Sequence, residues 1–389
     1  MLQQFLRWEA ASGLLLVIAM GLAMLVANSP LASFYDTFLH VAVQVRVGEL
    51  DIDKPLLLWI NDGLMAMFFL MIGLEVKREF FEGELRKPHQ VVLPAFAAVG
   101  GMLVPALVYV YFNYGNEAAM SGWAIPTATD IAFALGILSL LGNRVPAALK
   151  VFLLALAIMD DLGAIIIIAI FYTQDLSVLS LVVAGSALLV LALMNRFGVR
   201  KLGLYMLVGV IMWVSVLKSG VHATLAGVLL AFTIPLRFKD GTDGYVHKVE
   251  HKIHPYVAFM ILPLFAFANT GLSFSGIEME QLFSDIPVGI ALGLALGKPI
   301  GVFFFSTVAI LLGLAKLPKD VGWRALFGVG CLCGVGLTMS LFIGTLAFSE
   351  GGEADILVDR MGILMGSWAS AVIGFVVLWL VLPREKKLA

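Results

Sequence analysis

The amino-acid sequence predicts an all-α integral membrane protein with twelve transmembrane helices. Of the 389 residues, 61% are hydrophobic and only 13% are charged, whereas a soluble domain is nearer half apolar and a quarter charged. The mean hydropathy is +0.99. Twelve long apolar runs follow one another along the chain, and basic residues are concentrated on alternate connections between them. Lipid must therefore be the solvent for most of the protein surface.

A helix needs ~20 residues to cross ~30 Å of hydrocarbon, so the length of each apolar run indicates whether it can span the membrane. The seventh and eighth runs are short, and only Lys218, Ser219 and Gly220 come between them. The first run has no convincing cleavage site, so we interpret it as a retained anchor and not as a signal peptide. The twelve predicted spans are 11–28, 56–75, 91–113, 122–142, 149–172, 177–195, 202–217, 220–236, 255–271, 287–314, 325–348 and 361–382.

The distribution of Lys and Arg predicts the orientation of the chain. With a cytoplasmic N-terminus, 20 of the 25 basic residues fall on cytoplasmic segments. One more, Lys298, lies within a span, and the other side of the membrane has only Arg46, Lys54, Lys218 and Arg360. This asymmetry favours cytoplasmic N- and C-termini. The small net charge of -2 gives no indication of a nucleic-acid partner.

One external connection has the pattern of a β-hairpin. Residues 43–53 alternate between apolar and polar side chains, with Gly48 at the centre. A two-stranded hairpin is marginal alone in water, and its open edge favours pairing with another strand. The hairpin is therefore expected either to contact a second copy of the chain or to lie over its own helices.

Four ionisable residues lie near the middle of predicted spans: Asp130, Asp160, Asp161 and Lys298. A charge at the bilayer centre costs at least about 2.5–3.5 kcal/mol, and such residues commonly mark ion pathways. The alternative is a static salt bridge between helices. Adjacent helical residues diverge by about 100°, so Asp160 and Asp161 cannot both face one small ligand. We expect Asp161 to face an ion and Asp160 to face a partner such as Lys298.

The fourth and eleventh spans each contain a predicted break. In the segment Trp123-Ala-Ile-Pro-Thr-Ala-Thr-Asp130, Pro126 disrupts the helix and capping-type residues follow. The segment Cys331-Leu-Cys-Gly-Val-Gly-Leu-Thr-Met339 contains two glycines at a similar place. Because these spans cross in opposite senses, spans 3–5 and 10–12 are predicted to form inverted repeats, each with a broken middle helix.

Two smaller features concern packing and helix ends. Gly293, Gly297 and Gly301 recur at every fourth residue of the tenth span, and such a row of small residues permits close helix contact. Asp62 lies early in the second span, where we interpret it as a helix cap in preference to part of an ion route.

Taken together, the motifs of the chain resemble the NhaA family of bacterial sodium/proton antiporters. The resemblance extends over nearly the whole chain, and its motifs are specific. They are Leu74-Glu-Val-Lys-Arg78, Ala124-Ile-Pro-Thr-Ala-Thr-Asp-Ile-Ala-Phe133, Ala157-Ile-Met-Asp-Asp-Leu-Gly163, Leu217-Lys-Ser-Gly-Val-His-Ala-Thr224, Leu262-Pro-Leu-Phe-Ala-Phe-Ala-Asn269, Gly297-Lys-Pro299 and Gly336-Leu-Thr-Met-Ser340.

The resemblance implies roles for individual residues. Asp160 and Asp161 would bind Na+ or Li+, with Thr129 nearby. Asp130 and Lys298 would compensate the charge of half-helix ends, and a role for Lys298 as a proton carrier stays open. A pH response is implied for Glu75, Glu79, His222, Glu250, His251 and His254. Without the resemblance, these last residues have the pattern of an ordinary solvated surface.

The resemblance thus implies that one transmembrane domain, residues 1–389, exchanges cytoplasmic Na+ or Li+ for external H+ across a bacterial inner membrane, electrogenically and in response to pH. No enzymatic activity and no cofactor are expected, and a homodimer through residues 43–53 is expected. The alternatives are another cation- or proton-coupled solute transporter, a cation channel and an intramembrane aspartyl protease. The protease typically has a Gly-x-Gly-Asp signature, which the sequence lacks at Asp160.

Overall fold

The computed structural model describes residues 2–48, 50–86, 88–173, 176–238, 240–274, 279–348 and 353–383, and it is mostly helical. Within these ranges the α-helices are α1 Leu2–Ala27, α2 Ala32–Leu39, α3 Leu56–Trp59, α4 Met65–Phe81, α5 Pro88–Asn113, α6 Glu117–Met120, α7 Ile131–Leu140, α8 Ala147–Phe171, α9 Val178–Arg196, α10 Leu202–Leu217, α11 Thr224–Thr233, α12 Val246–Tyr256, α13 Leu262–Thr270, α14 Met279–Leu282, α15 Asp285–Leu292, α16 Lys298–Leu311, α17 Trp323–Cys333, α18 Leu337–Ala347 and α19 Glu353–Val381.

Several of these helices join into longer ones through single π-helical turns at Ile60–Leu64, Val257–Ile261 and Gly293–Gly297. In the described part of the chain, seven helical segments are long and apolar enough to cross a membrane. They are Leu56–Phe81, Gln90–Asn113, Ala147–Phe171, Val178–Arg196, Val246–Thr270, Met279–Leu311 and Val358–Val381. Three bent helix pairs raise the number of candidates to as many as 10. The predicted membrane-spanning helical class is confirmed, whereas the count of twelve stays a prediction.

The first of these bent pairs differs from the sequence prediction. The span predicted at 11–28 is part of a longer α1, and a second helix, α2, follows it at an angle of 114°. Pro30 lies in the turn between them, where a residue without a backbone N–H interrupts helical hydrogen bonding. In α2, Tyr35 and Leu39 are buried while Phe34 and Phe38 are exposed. An eight-residue helix with one buried edge is too short to appear as a span in the sequence.

The chain forms two compact units. The first consists of Met1–Gly21, Glu84–Ala164 and Leu272–Ala389. In it α16 packs along α5, and both α15 and α17 pack along α19. Its buried core is formed mainly by large aliphatic side chains, among them Leu135, Leu138, Leu149, Leu153, Leu326 and Val329.

The second unit consists of Leu22–Gly83 and Ile165–Gly271. Within it α4 packs on α11, and α9 packs on α10. Its core includes Leu74, Leu191, Tyr205, Met212 and Ile234, all of them buried. A buried lysine lies beside this core: Lys77 on α4 donates hydrogen bonds to the carbonyl oxygens of Phe232, at 2.8 Å, and Ile234.

The predicted β-hairpin is confirmed and is slightly longer than residues 43–53. Strand β1, Ala42–Val47, pairs antiparallel with β2, Leu50–Pro55, so that Val45 lies opposite Ile52. Gly48 has a φ of 62°, a conformation in which glycine is favoured at hairpin turns. Glu49 lies outside the described residues. The indole of Trp59 on α3 donates a hydrogen bond to the carbonyl oxygen of Val43 at 2.9 Å, which anchors β1 to the helix that follows β2.

The glycine row of the tenth span packs as the sequence predicts. A Cβ atom placed on Gly301 would lie 2.0 Å from the carbonyl oxygen of Gly100 on α5, and one placed on Gly100 would lie 2.2 Å from that of Gly301. The Cβ positions of Gly297 and Gly293 are also crowded, at 2.8 Å from the nearest atoms of Pro105 and Pro126 respectively. The backbones of α5 and α16 are therefore in direct contact, and no side chain fits between them.

This contact predicts a stability effect. Gly301→Ala would force α5 and α16 apart, and overpacking of this kind costs about 1–3 kcal/mol. We expect a lower melting temperature for the purified variant in detergent. The control is Gly185→Ala on α9, where no atom lies within 4 Å of the added Cβ and the higher helix propensity of alanine acts in the opposite direction. Equal melting temperatures for the two variants would contradict the direct backbone contact.

Candidate functional site

The site lies in the first unit, where two interrupted helices meet. A 3₁₀ segment, Ser121–Thr127, ends in extended backbone at Ala128 before α7 begins, with a bend of 44°. The helices α17 and α18 are likewise separated at residues 334–336 and bend by 44°. The two breaks are bonded to each other, because the Asp130 backbone N–H donates to the Val335 carbonyl oxygen at 2.6 Å. Peptide groups that lose their helical hydrogen-bond partners at the breaks thus find other partners inside the protein.

Asp130 lies at the N-terminal ends of two of these half-helices. It is 2% exposed and forms the N-cap of α7, with its Oδ1 accepting a hydrogen bond from the backbone N–H of Phe133 at 3.0 Å. Its Oδ2 accepts from the backbone N–H and the hydroxyl of Thr338, on the first turn of α18, at 3.1 and 2.7 Å. One carboxylate thus faces the positive ends of two helix dipoles.

Lys298 occupies the opposite electrostatic position. Its side chain is fully buried, and its ammonium donates to the carbonyl oxygen of Thr127, the last residue of the 3₁₀ segment. A carbonyl at the C-terminal end of a helical segment carries partial negative charge, which a cation stabilises. The ammonium also lies 2.7 Å from Oδ2 of Asp160. Through its ammonium, Lys298 on α16 therefore contacts both the 3₁₀ segment that precedes α7 and Asp160 on α8.

Asp160 uses one of its two oxygens for protein contacts. Oδ2 meets Lys298 and lies 2.6 Å from the hydroxyl of Thr129, which is also 2.8 Å from the carbonyl oxygen of Cys333. The hydroxyl has one proton, so it donates to one of these oxygens at a time. Within the described ranges no group donates to the buried Oδ1. A carboxylate oxygen, a hydroxyl and a freed carbonyl are ligands that a hard cation prefers.

Asp161 is the neighbour of Asp160 on α8 and is 3% exposed. At about 100° per residue, its side chain leaves the helix in a different direction from that of Asp160, which faces Lys298 and Thr129. Asp160 thus lies beside the two helix breaks, and a second buried carboxylate is its immediate neighbour on α8. Burial of two acids there is costly unless each is paired, protonated or bound to a cation.

Two of the residues predicted to respond to pH contact one guanidinium in the second unit. Nε of Arg78 lies 3.0 Å from both carboxylate oxygens of Glu250 on α12, and its Nη1 contacts Glu79 on α4. Glu79 is buried, and Glu75 lies one turn before it on the same helix. His251 is exposed and His254 is partly buried, both on α12. The structure thus brings Glu79 and Glu250 together through a basic residue.

His222 lies in the connection between α10 and α11, away from the arginine cluster in sequence. Its Nε2 is 3.7 Å from Oδ1 of Asp62, and its Nδ1 is 2.7 Å from the hydroxyl of Thr224. The interpretation of Asp62 as a helix cap is wrong. Asp62 lies inside the π-helical turn Ile60–Leu64, and its Oδ2 accepts from the ammonium of Lys54 on β2 at 2.7 Å. Folding of the hairpin brings Lys54 to a carboxylate eight residues later.

The sequence did not identify a second charged group in the same unit. Glu82 follows α4 and accepts hydrogen bonds from Nε2 of His247 at 2.6 Å and from Nε of Arg237 at 2.7 Å. The hydrogen bond from His247, and then that from Arg237, hold the pKa of Glu82 below its ordinary value. Arg237 and His247 both lie more than 150 positions after Glu82, so no local pattern could have predicted their contact with it. Thr338 was also assigned no role from the sequence, although a hydroxyl on the first turn of a helix is a recognisable signal for a capping contact.

Comparison with known proteins identifies the family of this chain. The family described as Na+/H+ antiporter 1 matches residues 3–378. A protein named Na(+)/H(+) antiporter NhaA from Shewanella amazonensis is 59% identical over 383 residues, 98% of each chain. Its namesake from Shewanella oneidensis is 59% identical over 384 residues, 99% of this chain and 98% of that one. Na(+)/H(+) antiporter NhaA 1 from Pseudomonas putida is 60% identical over 374 residues, 96% and 94% of the two chains. Over nearly its whole length, therefore, this chain belongs to the Na+/H+ antiporter 1 family.

Proposed function

We propose that the protein is a secondary active transporter that exchanges cytoplasmic Na+ for external H+ and so serves sodium and pH homeostasis. The observation that carries this proposal is the buried contact of Asp160 with Lys298 and Thr129 at two interrupted helices, with Asp161 beside it. Full-length relatives named as Na+/H+ antiporters support it, and they are transporters by name, not enzymes. Na+ and H+ would be transported substrates, with Li+ as an alternative to Na+, and no resident cofactor is required.

The proposed mechanism is competition between Na+ and protons for the same oxygens. Burial disfavours a charged carboxylate, so a buried acid holds a proton more readily than one in water. Sodium binding then expels protons, and protons expel sodium. An empty and fully ionised site would be costly in the low-dielectric interior. The site would therefore reorient only when Na+ or protons occupy it, and this condition keeps the exchange of Na+ for H+ coupled.

The two aspartates, Asp160 and Asp161, would have different roles in the site. Asp161 is the carboxylate that we place against the ion, with Thr129 nearby, while Asp160 is held by Lys298 in the structure described. Asp130 and Lys298 would neutralise the half-helix ends, a role supported by their contacts with Thr338 and Thr127. Release of Asp160 from Lys298 would let both carboxylates contribute to the site. Lys298 either carries a transported proton or only holds Asp160 in place.

The exchange would be electrogenic. If two protons enter for each Na+ that leaves, one net charge crosses per cycle, which corresponds to about 2.3 kcal/mol per 100 mV. An inside-negative potential would then drive Na+ out of the cytoplasm. This direction assumes a bacterial inner membrane with both termini in the cytoplasm, as the distribution of Lys and Arg favours. The C-terminal basic residues of that distribution, at 384–387, lie outside the described residues.

We propose the twelve-span topology with inverted repeats for the same protein. The apolar helices α10 and α11 are shorter than a full span and would complete the twelve together with the seven long segments and three bent pairs. The repeats would be residues 91–172 and 287–382, each with a broken middle helix. Their support is that residues 91–164 of the first repeat and the whole of the second fall in the first compact unit, together with both 44° bends.

The pH response would depend on the Arg78 cluster. Glu75, Glu79, Glu250, His251 and His254 lie on α4 and α12, which pack against each other. His222 would contribute through its neighbour Asp62. Because Glu82 keeps a lowered pKa, it stays ionised at neutral pH and would act as a fixed charge, while imidazole is the side chain that titrates in this range.

The hairpin, residues 43–53, would form a homodimer contact at the external face of the single transmembrane domain, 1–389. The support is its regular antiparallel pairing and two strands that leave open edges, which favour pairing with a further strand. A variant that lacks residues 43–53 should sediment as a monomer in detergent. Dimers of that variant would exclude the hairpin as the main contact.

Asp161→Asn tests the shared-carboxylate mechanism in everted membrane vesicles. An amide keeps the size of the side chain but cannot exchange a proton for a cation. We expect addition of Na+ to collapse the pH gradient only at the background rate of vesicles without the protein. The control is Asp285→Asn, an exposed residue of α15, which should keep the parent rate. Collapse at the parent rate by Asp161→Asn, at equal protein level, would exclude the mechanism.

Glu250→Gln tests the pH response. Glutamine keeps the size of the side chain but removes its negative charge, and loss of a nearby negative charge lowers the pKa of the groups that titrate around Arg78. The pH profile of Na+-dependent exchange should therefore move to acid pH, by about one unit. Maximal rate should be preserved. Glu280→Gln, an exposed residue of α14, is the control, and identical profiles for the parent and Glu250→Gln would refute the proposal.

A further inference from the structure

The free oxygen of Asp160 faces a glycine. Oδ2 is occupied by Lys298 and Thr129, whereas Oδ1 has no hydrogen-bond donor in the part of the chain that the structure describes. A Cβ atom placed on Gly101 of α5 would lie 3.9 Å from this Oδ1 and 3.7 Å from Cε of Lys298. The missing side chain of Gly101 therefore leaves space beside the oxygen of Asp160 to which no described group donates a hydrogen bond.

Helix packing alone does not require glycine at this position. At the neighbouring Gly100, an added Cβ would collide with backbone, 2.2 Å from the carbonyl oxygen of Gly301. At Gly101 the nearest atom is a side-chain methyl, Cγ2 of Val302, at 3.0 Å. A methyl group can move by a few tenths of an ångström at small cost, whereas two helix backbones cannot. Alanine is thus nearly accommodated at 101, and its methyl would occupy the space beside Asp160.

We propose that Gly101 is a specificity-determining residue, which sets the space available to a cation at Oδ1 of Asp160. The inference rests on the proposed function, because it takes Asp160 as part of the cation site. A cation bound at Oδ1 needs room for itself and for its remaining oxygen ligands. Na+ is larger than Li+, so a methyl group at 101 penalises Na+ more than Li+. Gly101 itself donates no ligand and contributes only by the absence of a side chain.

The test compares Na+ and Li+ as substrates of Gly101→Ala in liposomes with purified protein. One extra carbon in a closely fitted pocket changes binding by about tenfold or more. We expect KM for Na+ to rise about tenfold while KM for Li+ rises much less, so that the ratio of the two increases. The matched control is Gly330→Ala on α17, where the three atoms nearest to the added Cβ, at 3.4–3.5 Å, belong to Pro299 and Val302 and not to Asp160 or Lys298. That control should keep the parent ratio.

A second variant separates the ion site from packing. Val302→Ala removes the methyl that the new Cβ would press against. If Gly101→Ala/Val302→Ala keeps the raised ratio relative to Val302→Ala alone, the effect comes from the space beside Asp160. A return to the parent ratio would assign the effect to packing and overturn the proposal. The double variant also carries the test if Gly101→Ala alone fails to fold.

The outcomes also distinguish this inference from the function on which it rests. A parent protein that does not exchange Na+ for H+ would overturn both. A parent that does exchange them, with Gly101→Ala showing unchanged KM values or equal increases for Na+ and Li+, would overturn only the role of Gly101.

Discussion

Asp160 and Lys298 are both withdrawn from solvent, and their contact at 2.7 Å is what permits a site of this polarity inside an apolar protein. Either residue alone would leave an uncompensated buried charge, a loss that typically costs about 3–5 kcal/mol. The pair is not an optimised salt bridge, because Lys298 shares its ammonium with Thr127 and Asp160 shares its carboxylate with Thr129. Each partner therefore has another contact to keep when the pair opens. A buried ion pair whose two members each keep a second hydrogen-bond partner when the pair opens is suited to a site that must exchange one cation for another.

The helix interruptions follow from the same constraint. Two continuous helices would have no free peptide groups at their centres and no dipole ends to place there. Because the 3₁₀ segment ends at Thr127 and α7 and α18 begin nearby, the site contains both positive and negative helix ends. Asp130 and Lys298 contact these ends, and the direct contact of Gly100 with Gly301 holds α16, which begins at Lys298, against α5. Packing by glycine, broken helices and buried charge are thus parts of one arrangement.

Local patterns predicted most of the elements of this structure. Apolar runs indicated the membrane helices, alternation and Gly48 indicated the hairpin, and Pro126 with Gly334 and Gly336 indicated where two helices are interrupted. The ionisable residues of the site were also evident, because charges in apolar spans are few. Contacts between distant segments were not predictable in the same way. The bond of Lys298 to Thr127, the pairing of Asp62 with Lys54, and the group of Glu82, His247 and Arg237 all depend on tertiary packing. The short helix α2 was missed because eight residues give too little periodicity.

The claim that Na+ and protons share the same oxygens has a direct thermodynamic consequence. Titration of NaCl into the purified protein in detergent can be followed by calorimetry in two buffers of different ionisation enthalpy at the same pH. Competition predicts that the heat per bound Na+ differs between the buffers, by an amount equal to about one to two released protons. Equal heats in both buffers, with Na+ bound, would mean that no proton leaves and would contradict the account.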